Sequence, residues 1–406
     1  MKLPAYGLFA AMLAAAGLPI YLHAPAYYAA KFGIGLTALS GVLFFLRLLD
    51  VVQDPFFGWL SGRLIRRRTL SVSLAIVALA VSMLGLFAVE PPVAPLLWFA
   101  AMLTVLFSAY SFLTISFYAR GVSKASGLGA GGHLRLAAWR ETGALVGVCA
   151  AAVAPTLLAG TGAGYTNFAL GFMALCLLAW LVMRPEWSTP DEGASAKLSD
   201  FFTILRDPNA RRILLIGLAN AAPVAVSSSL FLFFVQDVLA APDWAGPLLV
   251  IFFLAAALGA VVWPRLSRSV GTRRALSIAM AVNIAAFAPV AFLGAGDGGI
   301  FAVICVISGF AIGADFTLVP AIFARRMEVI APTGTAGFGL WAFVTKLSLA
   351  LAAILLLPAL EHAGYVAGGD SPAAALSLLA VLYAGLPCVL KLAALALLWA
   401  GPIEAD

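Results

Sequence analysis

Charge is what this sequence has least of. Only 10% of its 406 residues are Asp, Glu, Lys or Arg, against 63% hydrophobic, and the mean hydropathy is +1.06. Soluble domains carry roughly 25% charged residues, so the composition excludes a soluble globular chain and implies a polytopic membrane protein. Cysteine is scarce too. Cys149, Cys176, Cys305 and Cys388 fall singly in four separate apolar runs. That spacing argues against a disulfide framework or a thiolate metal site and leaves packing as their role. His23, His133 and His362 are too scattered to form a metal cluster. No glycine-rich phosphate loop and no nucleophile elbow occur, so ATP-driven transport and membrane hydrolysis find no support. No cofactor is expected.

What the chain does have is a succession of long apolar runs. They predict an all-α fold of twelve transmembrane helices, at roughly 5–27, 36–62, 70–89, 94–118, 135–159, 166–183, 211–237, 244–263, 275–294, 298–322, 337–360 and 373–400. Basic residues crowd one set of loops, among them Arg66, Arg67, Arg68, Lys124, Arg184, Arg211, Arg212, Arg273, Arg274, Arg325 and Arg326. The opposite loops hold Lys31 alone, beside Glu90, Asp237, Asp243, Asp297, Glu361 and Asp370. This asymmetry places both termini in the cytoplasm, with the chain in the inner membrane, and requires an even number of spans. The net charge of +6 is thus a topology signal, and no nucleic-acid partner is expected. Lys2, the apolar stretch after it and Ala24-Pro25-Ala26 resemble a signal peptide. Its removal would leave an odd number of spans, so an uncleaved first helix is the expectation.

From Arg184 to Arg212 the composition turns polar, with Pro, Gly and Ser, after six spans and before six more. The predicted organisation is a six-helix bundle over 1–183, a cytoplasmic linker over 184–210 carrying a short surface helix at LSDFFTIL, and a second six-helix bundle over 211–406. The halves echo each other. Trp59 to Arg63 followed by Arg66, Arg67 and Arg68 recurs as Trp263 to Arg268 followed by Gly271, Arg273 and Arg274. An internal repeat of this kind suggests a two-bundle carrier with its site near the membrane midplane. Pro55, directly after Asp54, frees a carbonyl beside that charged stretch.

Arg47, Asp50 and Asp54 stand out because they interrupt an otherwise apolar span. Their offsets of three and seven residues put all three on one helix face. Each such charge costs roughly 2.5–3.5 kcal/mol at the bilayer centre, so three would cost about 8–10 if unpaired. Arg140, Glu141, Asp315, Lys346 and Lys391 also lie at membrane depth. Lys346 is about nine residues into its span, roughly 14 Å at ~1.5 Å per residue. Four spans from both halves are therefore expected to carry opposite charges to similar depths. Lys391 is expected to snorkel to the inner surface. Two carboxylates one turn apart beside a cation suit binding of Na⁺, Li⁺ or H⁺. The competing reading is a static ion-pair lattice. The fourth span adds Tyr110, Ser111, Thr114, Ser116 and Tyr118, and the eleventh adds Trp341, a mix suited to stacking on sugar rings and meeting their hydroxyls.

These residues resemble a known family. Arg47-x-x-Asp50-x-x-x-Asp54-Pro55-x-x-Gly58 is similar to the second-helix motif of the glycoside–pentoside–hexuronide:cation symporters, the melibiose-permease-like branch of the major facilitator superfamily. Arg140 with Gly147, and Gly313 to Asp315 through Pro320 and Gly334 to Lys346, resemble the fifth-helix and tenth-to-eleventh-helix signatures. The resemblance implies a twelve-helix carrier that co-transports a sugar with a monovalent cation by alternating access. By position, Asp50 and Asp54 become cation ligands with Ser111 as a hydroxyl candidate, and Arg140, Tyr118 and Lys346 become sugar-site or coupling residues. Beside that resemblance, their place among the intramembrane polar groups adds Thr114 to the cation candidates and Arg47, Glu141, Asp315 and Trp341 to the substrate-binding or coupling candidates. The sequence departs from the family where its first-helix and fourth-helix acids are replaced by Ala14 and Thr114. It departs again where the acidic pair after the tenth helix is replaced by Arg325 and Glu328. Fewer oxygens argue against melibiose as the sugar and favour H⁺ over Na⁺.

The expectation is a monomeric inner-membrane symporter that couples H⁺ or Na⁺ to uptake of a small polar solute, a sugar or glycoside, without enzymatic activity. Its partners would be the solute, a monovalent cation and the lipid bilayer. One alternative keeps the fold and moves a non-sugar metabolite or amphiphile, including by export. Another is a sensor or scaffold that has kept a carrier fold, a reading that leaves the intramembrane charges unexplained.

Overall fold

A computed structural model describes residues 3–129, 131–158, 163–188, 198–365 and 371–401, and nearly all of them are helical. The helices are α1 (Leu3–Ala15), α2 (Leu18–Phe32), α3 (Leu36–Arg63), α4 (Arg68–Phe87), α5 (Pro95–Ala125), α6 (Gly132–Leu157) and α7 (Gly164–Ser188). After the polar stretch come α8 (Leu198–Arg206), α9 (Pro208–Phe233), α10 (Ala245–Val270), α11 (Thr272–Phe287), α12 (Gly298–Ile330), α13 (Thr335–His362) and α14 (Ala373–Trp399). Ten helices among the described residues are long and apolar enough to cross a membrane, which is consistent with the expected twelve spans. Exposed Leu70, Leu74, Val77 and Val81 recur at helical spacing along α4 and make a stripe suited to lipid.

The first expected span is not one helix. It breaks at Gly17 into α1 and α2 because Pro19 stands at the first turn of α2. Proline lacks the donor N–H and disfavours helix in the residue before it, so α1 closes first, with Ala16 N on Leu13 O and Gly17 N on Ala14 O. The α9 segment ends in a wide π turn over Phe234–Val238. The surface helix expected at LSDFFTIL is present as α8, whereas 189–197 of the linker lie outside the described residues.

The chain divides into two compact units. The first comprises Met1–Ile204 and Met327–Phe343; the second comprises Leu205–Arg326 and Val344–Asp406. Within the first, α6 lies directly on α1. A Cβ at Gly143 would strike the backbone of Gly7, and one at Gly147 the backbone of Ala11. These glycines let two helices approach at backbone distance, the packing that stabilises helices where lipid supplies no hydrophobic drive. The start of α13 also packs closely on α3, since a Cβ on Gly58 would sit 2.9 Å from Thr335 O and 3.1 Å from Gly339 Cα. Phe9, Phe87, Phe99 and Phe117 fill the interior of this unit. In the second unit, Gly259 and Gly313 form a similar seam between α10 and α12, and Phe234 stacks on Tyr383 at 4.3 Å.

Asp207 caps α9. Its Oδ1 accepts from Ala210 N at 2.7 Å, and its Oδ2 accepts from Arg326 Nη2 at 2.5 Å. The hydrogen bonds from Arg326 hold the Asp207 carboxyl below the usual carboxylate range. A depressed native pKa adds stability above the unfolded pKa of about 3.9 and loses it as pH falls through the native value. Asp207→Asn should therefore lower the melting temperature at pH 7 and leave a smaller further loss on acidification below pH ~4 than wild type shows. Parallel thermal melts in detergent at both pH values check this. Gly147→Ala should likewise destabilise by about 1–3 kcal/mol through overpacking. Gly171→Ala, whose added carbon meets nothing within 4 Å, should be neutral in the same melts.

Candidate cation and substrate site

The first unit gathers its polar groups from α3, α5 and α6. On α3, Asp50 is 6% exposed and Asp54 is fully buried, in a helix that continues through Pro55. Gln53, half-buried beside them, donates Nε2 to Asp50 Oδ1 at 2.6 Å and accepts on Oε1 from Ser108 Oγ of α5 at 3.0 Å. Asp50 is thus oriented by a relay that reaches the next helix. Ser61 and Ser116 add a second α3–α5 tie at 2.7 Å. Arg47 lies on the same helix, but its side chain is outside the described residues.

On α5, Ser111 is buried, and half-buried Tyr110 lies beside Thr114 in the electrostatic field of Asp50, Asp54 and Glu141. One turn further along, Tyr118 donates its hydroxyl to Glu141 Oε1 at 2.9 Å. The same oxygen accepts from Arg140 Nε at 2.8 Å, and the guanidinium stacks over the Tyr118 ring with 3.6 Å to its centroid. Arg140, Glu141 and Tyr118 therefore close a compact knot in which the acid neutralises the arginine and the ring covers its face. Arg140 Nη2 is buried without a hydrogen-bond partner among the described residues, and Thr114 Oγ1 is buried beside the Tyr110 hydroxyl. A guanidinium donor left open inside a helix bundle is a group that a polar ligand can satisfy.

The first residues of α13 belong to this unit. Phe338 packs on the Tyr118 ring at 5.2 Å, Gly339 lies against the Asp54 carbonyl, and Trp341 follows two residues later. Asp50, Asp54, Ser111, Thr114, Tyr118, Arg140, Glu141 and Trp341 thus all fall in the first unit, whereas Asp315 and half-buried Lys346 fall in the second. Asp315 is paired there with Lys391. Lys391 does not snorkel as expected. It is 1% exposed, because Asp315 and Asn220 offer oxygens that the apolar flanks of α14 cannot match.

Gln53, Ser108 and Asn220 were missed from sequence. An uncharged amide or hydroxyl in a membrane helix carries little signal alone. The i, i+3 spacing of Asp50 and Gln53 was the clue available. Among the described residues no cluster of histidine, cysteine and acid is arranged for a transition metal.

Residues 3–405 match the family model described as MFS/sugar transport protein. Two solved structures similar over nearly the whole chain come from transporters. One is a bacterial homologue of the iron transporter ferroportin in an outward-facing state, at TM-score 0.70 and 14% identity, covering 98% of each chain. The other is the human organic anion transporter MFSD10 (TETRAN), at TM-score 0.66 and 18% identity, again covering 98% of each chain. At such identities the likeness establishes the major facilitator fold. No curated protein sequence matches the chain.

Removing either half of the Arg140–Glu141 pair leaves a buried charge uncompensated, so Arg140→Ala and Glu141→Ala should each destabilise by about 3–5 kcal/mol. The double variant should lose clearly less than their sum. A double-mutant cycle from denaturant unfolding in detergent measures this, and strict additivity would rule out the knot as described.

Proposed function

We propose that this chain, which belongs to the MFS/sugar transport protein family, couples entry of a monovalent cation to uptake of a small polar solute by alternating access. It is a multi-pass membrane transporter rather than an enzyme. The coupling ion in this reading is H⁺ in preference to Na⁺, the solute a sugar or glycoside, and the setting the inner membrane with both termini cytoplasmic and the chain acting as a monomer. The observation that carries the proposal is the buried carboxylate pair of α3, Asp50 and Asp54, one helical turn apart. Two acids so close resist simultaneous ionisation, so one of them is ready to take a proton or to share a cation with its partner. Gln53 and Ser108 hold Asp50 in place, and in this reading Asp54 is the member whose occupancy changes. Ser111 and Thr114 supply hydroxyl oxygens from α5.

The solute would meet the knot of α5 and α6. Arg140 Nη2 and Thr114 Oγ1 offer a donor and a hydroxyl, while Tyr118 and Trp341 offer aromatic faces, a set that fits a polyhydroxylated ring. Occupancy of the acid pair would remove negative charge from the region and so favour the solute-bound arrangement, which is the coupling. Lys346 takes part as a coupling cation on α13 in this scheme.

A second reading keeps the fold and the cation step but changes the cargo to a non-sugar metabolite or amphiphile. The specific observation favouring it is that Ala14 and Thr114 stand where the resembling symporters carry acids.

Asp54→Asn keeps the side-chain shape while removing the titratable charge. It should abolish accumulation of solute against a gradient, leave passive exchange of solute measurable, and keep the melting temperature within a few degrees of wild type. Accumulation that persists in Asp54→Asn would defeat the coupling role assigned to α3.

A further inference from the structure

The second unit holds a polar cluster that the scheme above does not use. Asp315 of α12 is 5% exposed, Lys391 of α14 1% and Asn220 of α9 6%. Lys391 Nζ donates to Asn220 Oδ1 at 2.5 Å and to Asp315 Oδ2, so three helices meet at one ammonium group. Asp315 Oδ1 is buried with no hydrogen-bond partner among the described residues.

Stability does not account for this arrangement. A buried ion pair is often no better than a well-packed apolar pair, and the open lone pairs of a buried carboxylate oxygen are a further penalty. Ionisable groups inside a membrane span face function by default. The α10 helix presents Ala256, Gly259 and Ala260 to Gly313, and its charges, Arg265 and Arg268, come in its last turns. The charges of α9, Arg211 and Arg212, lie in its first turn, with Arg212 bound to Leu397 O. On α14 the other titratable groups are Tyr383, two turns away against Phe234, and Cys388, whose thiol faces Ile284 O of α11. Further along α12, Arg325 and Arg326 come ten and eleven residues after Asp315, with Arg326 bound to Asp207, and α13 carries Lys346. The α11 helix, packed on α14, carries Arg273 and Arg274 in its first turn, with Arg273 over the Trp399 ring.

We propose that Asp315, Lys391 and Asn220 form a second proton site, in which Lys391 is a tethered counter-ion that Asp315 exchanges for a proton. With Asp315 ionised, the ammonium is held between Asp315 Oδ2 and Asn220 Oδ1. A proton from water binds at Oδ1, the oxygen left open, and makes the carboxyl neutral. The ammonium, no longer compensated, then turns toward the C-terminal, inner end of α14, where lysine stems reach water. Loss of the proton draws it back. The two positions of one long side chain make a bistable element driven by protonation.

The first arm of the test needs no substrate. The infrared carboxylic-acid band of the full-length purified protein would be titrated in lipid. Wild type should show a protonation step that is lost in the neutral pair Asp315→Asn/Lys391→Met and shifted in frequency in Asp315→Glu, which keeps an acid if the neutral pair folds poorly. In liposomes the neutral pair should then carry at least about threefold weaker dependence of solute uptake on pH than wild type. A band unchanged in both variants, or a neutral pair with the wild-type pH profile, would overturn the proposal and leave the cluster a structural ion pair. Because the infrared step is read without transport, its loss would stand even if the role of Asp54 failed.

Discussion

A charge inside a bilayer must find its counter-charge on its own or a neighbouring helix, and this requirement organises the polar interior of both units. In the first, Glu141 answers Arg140 and Tyr118 covers the guanidinium, so α5 and α6 are joined at the knot. In the second, Asp315 and Asn220 answer Lys391 and join α9, α12 and α14. On α3 the carboxylates of Asp50 and Asp54 lie one turn apart, with Asp50 oriented by Gln53 and, through it, Ser108. Like charges so close make this pair the place where the proposed cation or proton would bind.

Such short polar contacts demand helices that approach closely. Glycine supplies this where it matters. Gly143 and Gly147 let α6 settle on α1, which sets the depth of Arg140 and Glu141, and Gly58 admits the start of α13 beside the Asp54 carbonyl. The match of Gly147 to a family signature thus has a steric reason: any side chain there strikes the Ala11 backbone. Packing and chemistry are coupled through these seams, since a displaced helix would move a charged side chain off its partner.

Much of the fold could be read from the chain because membrane helices declare themselves by length and apolar composition. The same economy made Arg47, Asp50 and Asp54 conspicuous, and the surface helix α8 followed from its polar setting. What escaped prediction depended on tertiary contact. Pro19 and Gly17 break the first span, and only the placement of α1 on α6 shows why a break is tolerated. Lys391 looked able to snorkel because periodicity gives depth without giving neighbours, and Asp315 and Asn220 are 76 and 171 residues away in sequence. Gln53 and Ser108 were missed for a related reason, since neutral hydrogen-bonding groups are common in membrane helices and only geometry shows which ones hold a carboxylate.

The central claim is that cation binding at the α3 acids and solute binding at the α5–α6 knot depend on each other. The most direct measurement is of substrate-driven proton movement into proteoliposomes carrying an internal pH dye, with pooled glycosides added outside and Na⁺ present or absent. Internal acidification that requires a glycoside and persists without Na⁺ is the predicted result. Glycoside entry with no accompanying proton or Na⁺ movement would contradict the account, because solute would then cross without the cation that the acids of α3 are held to bind.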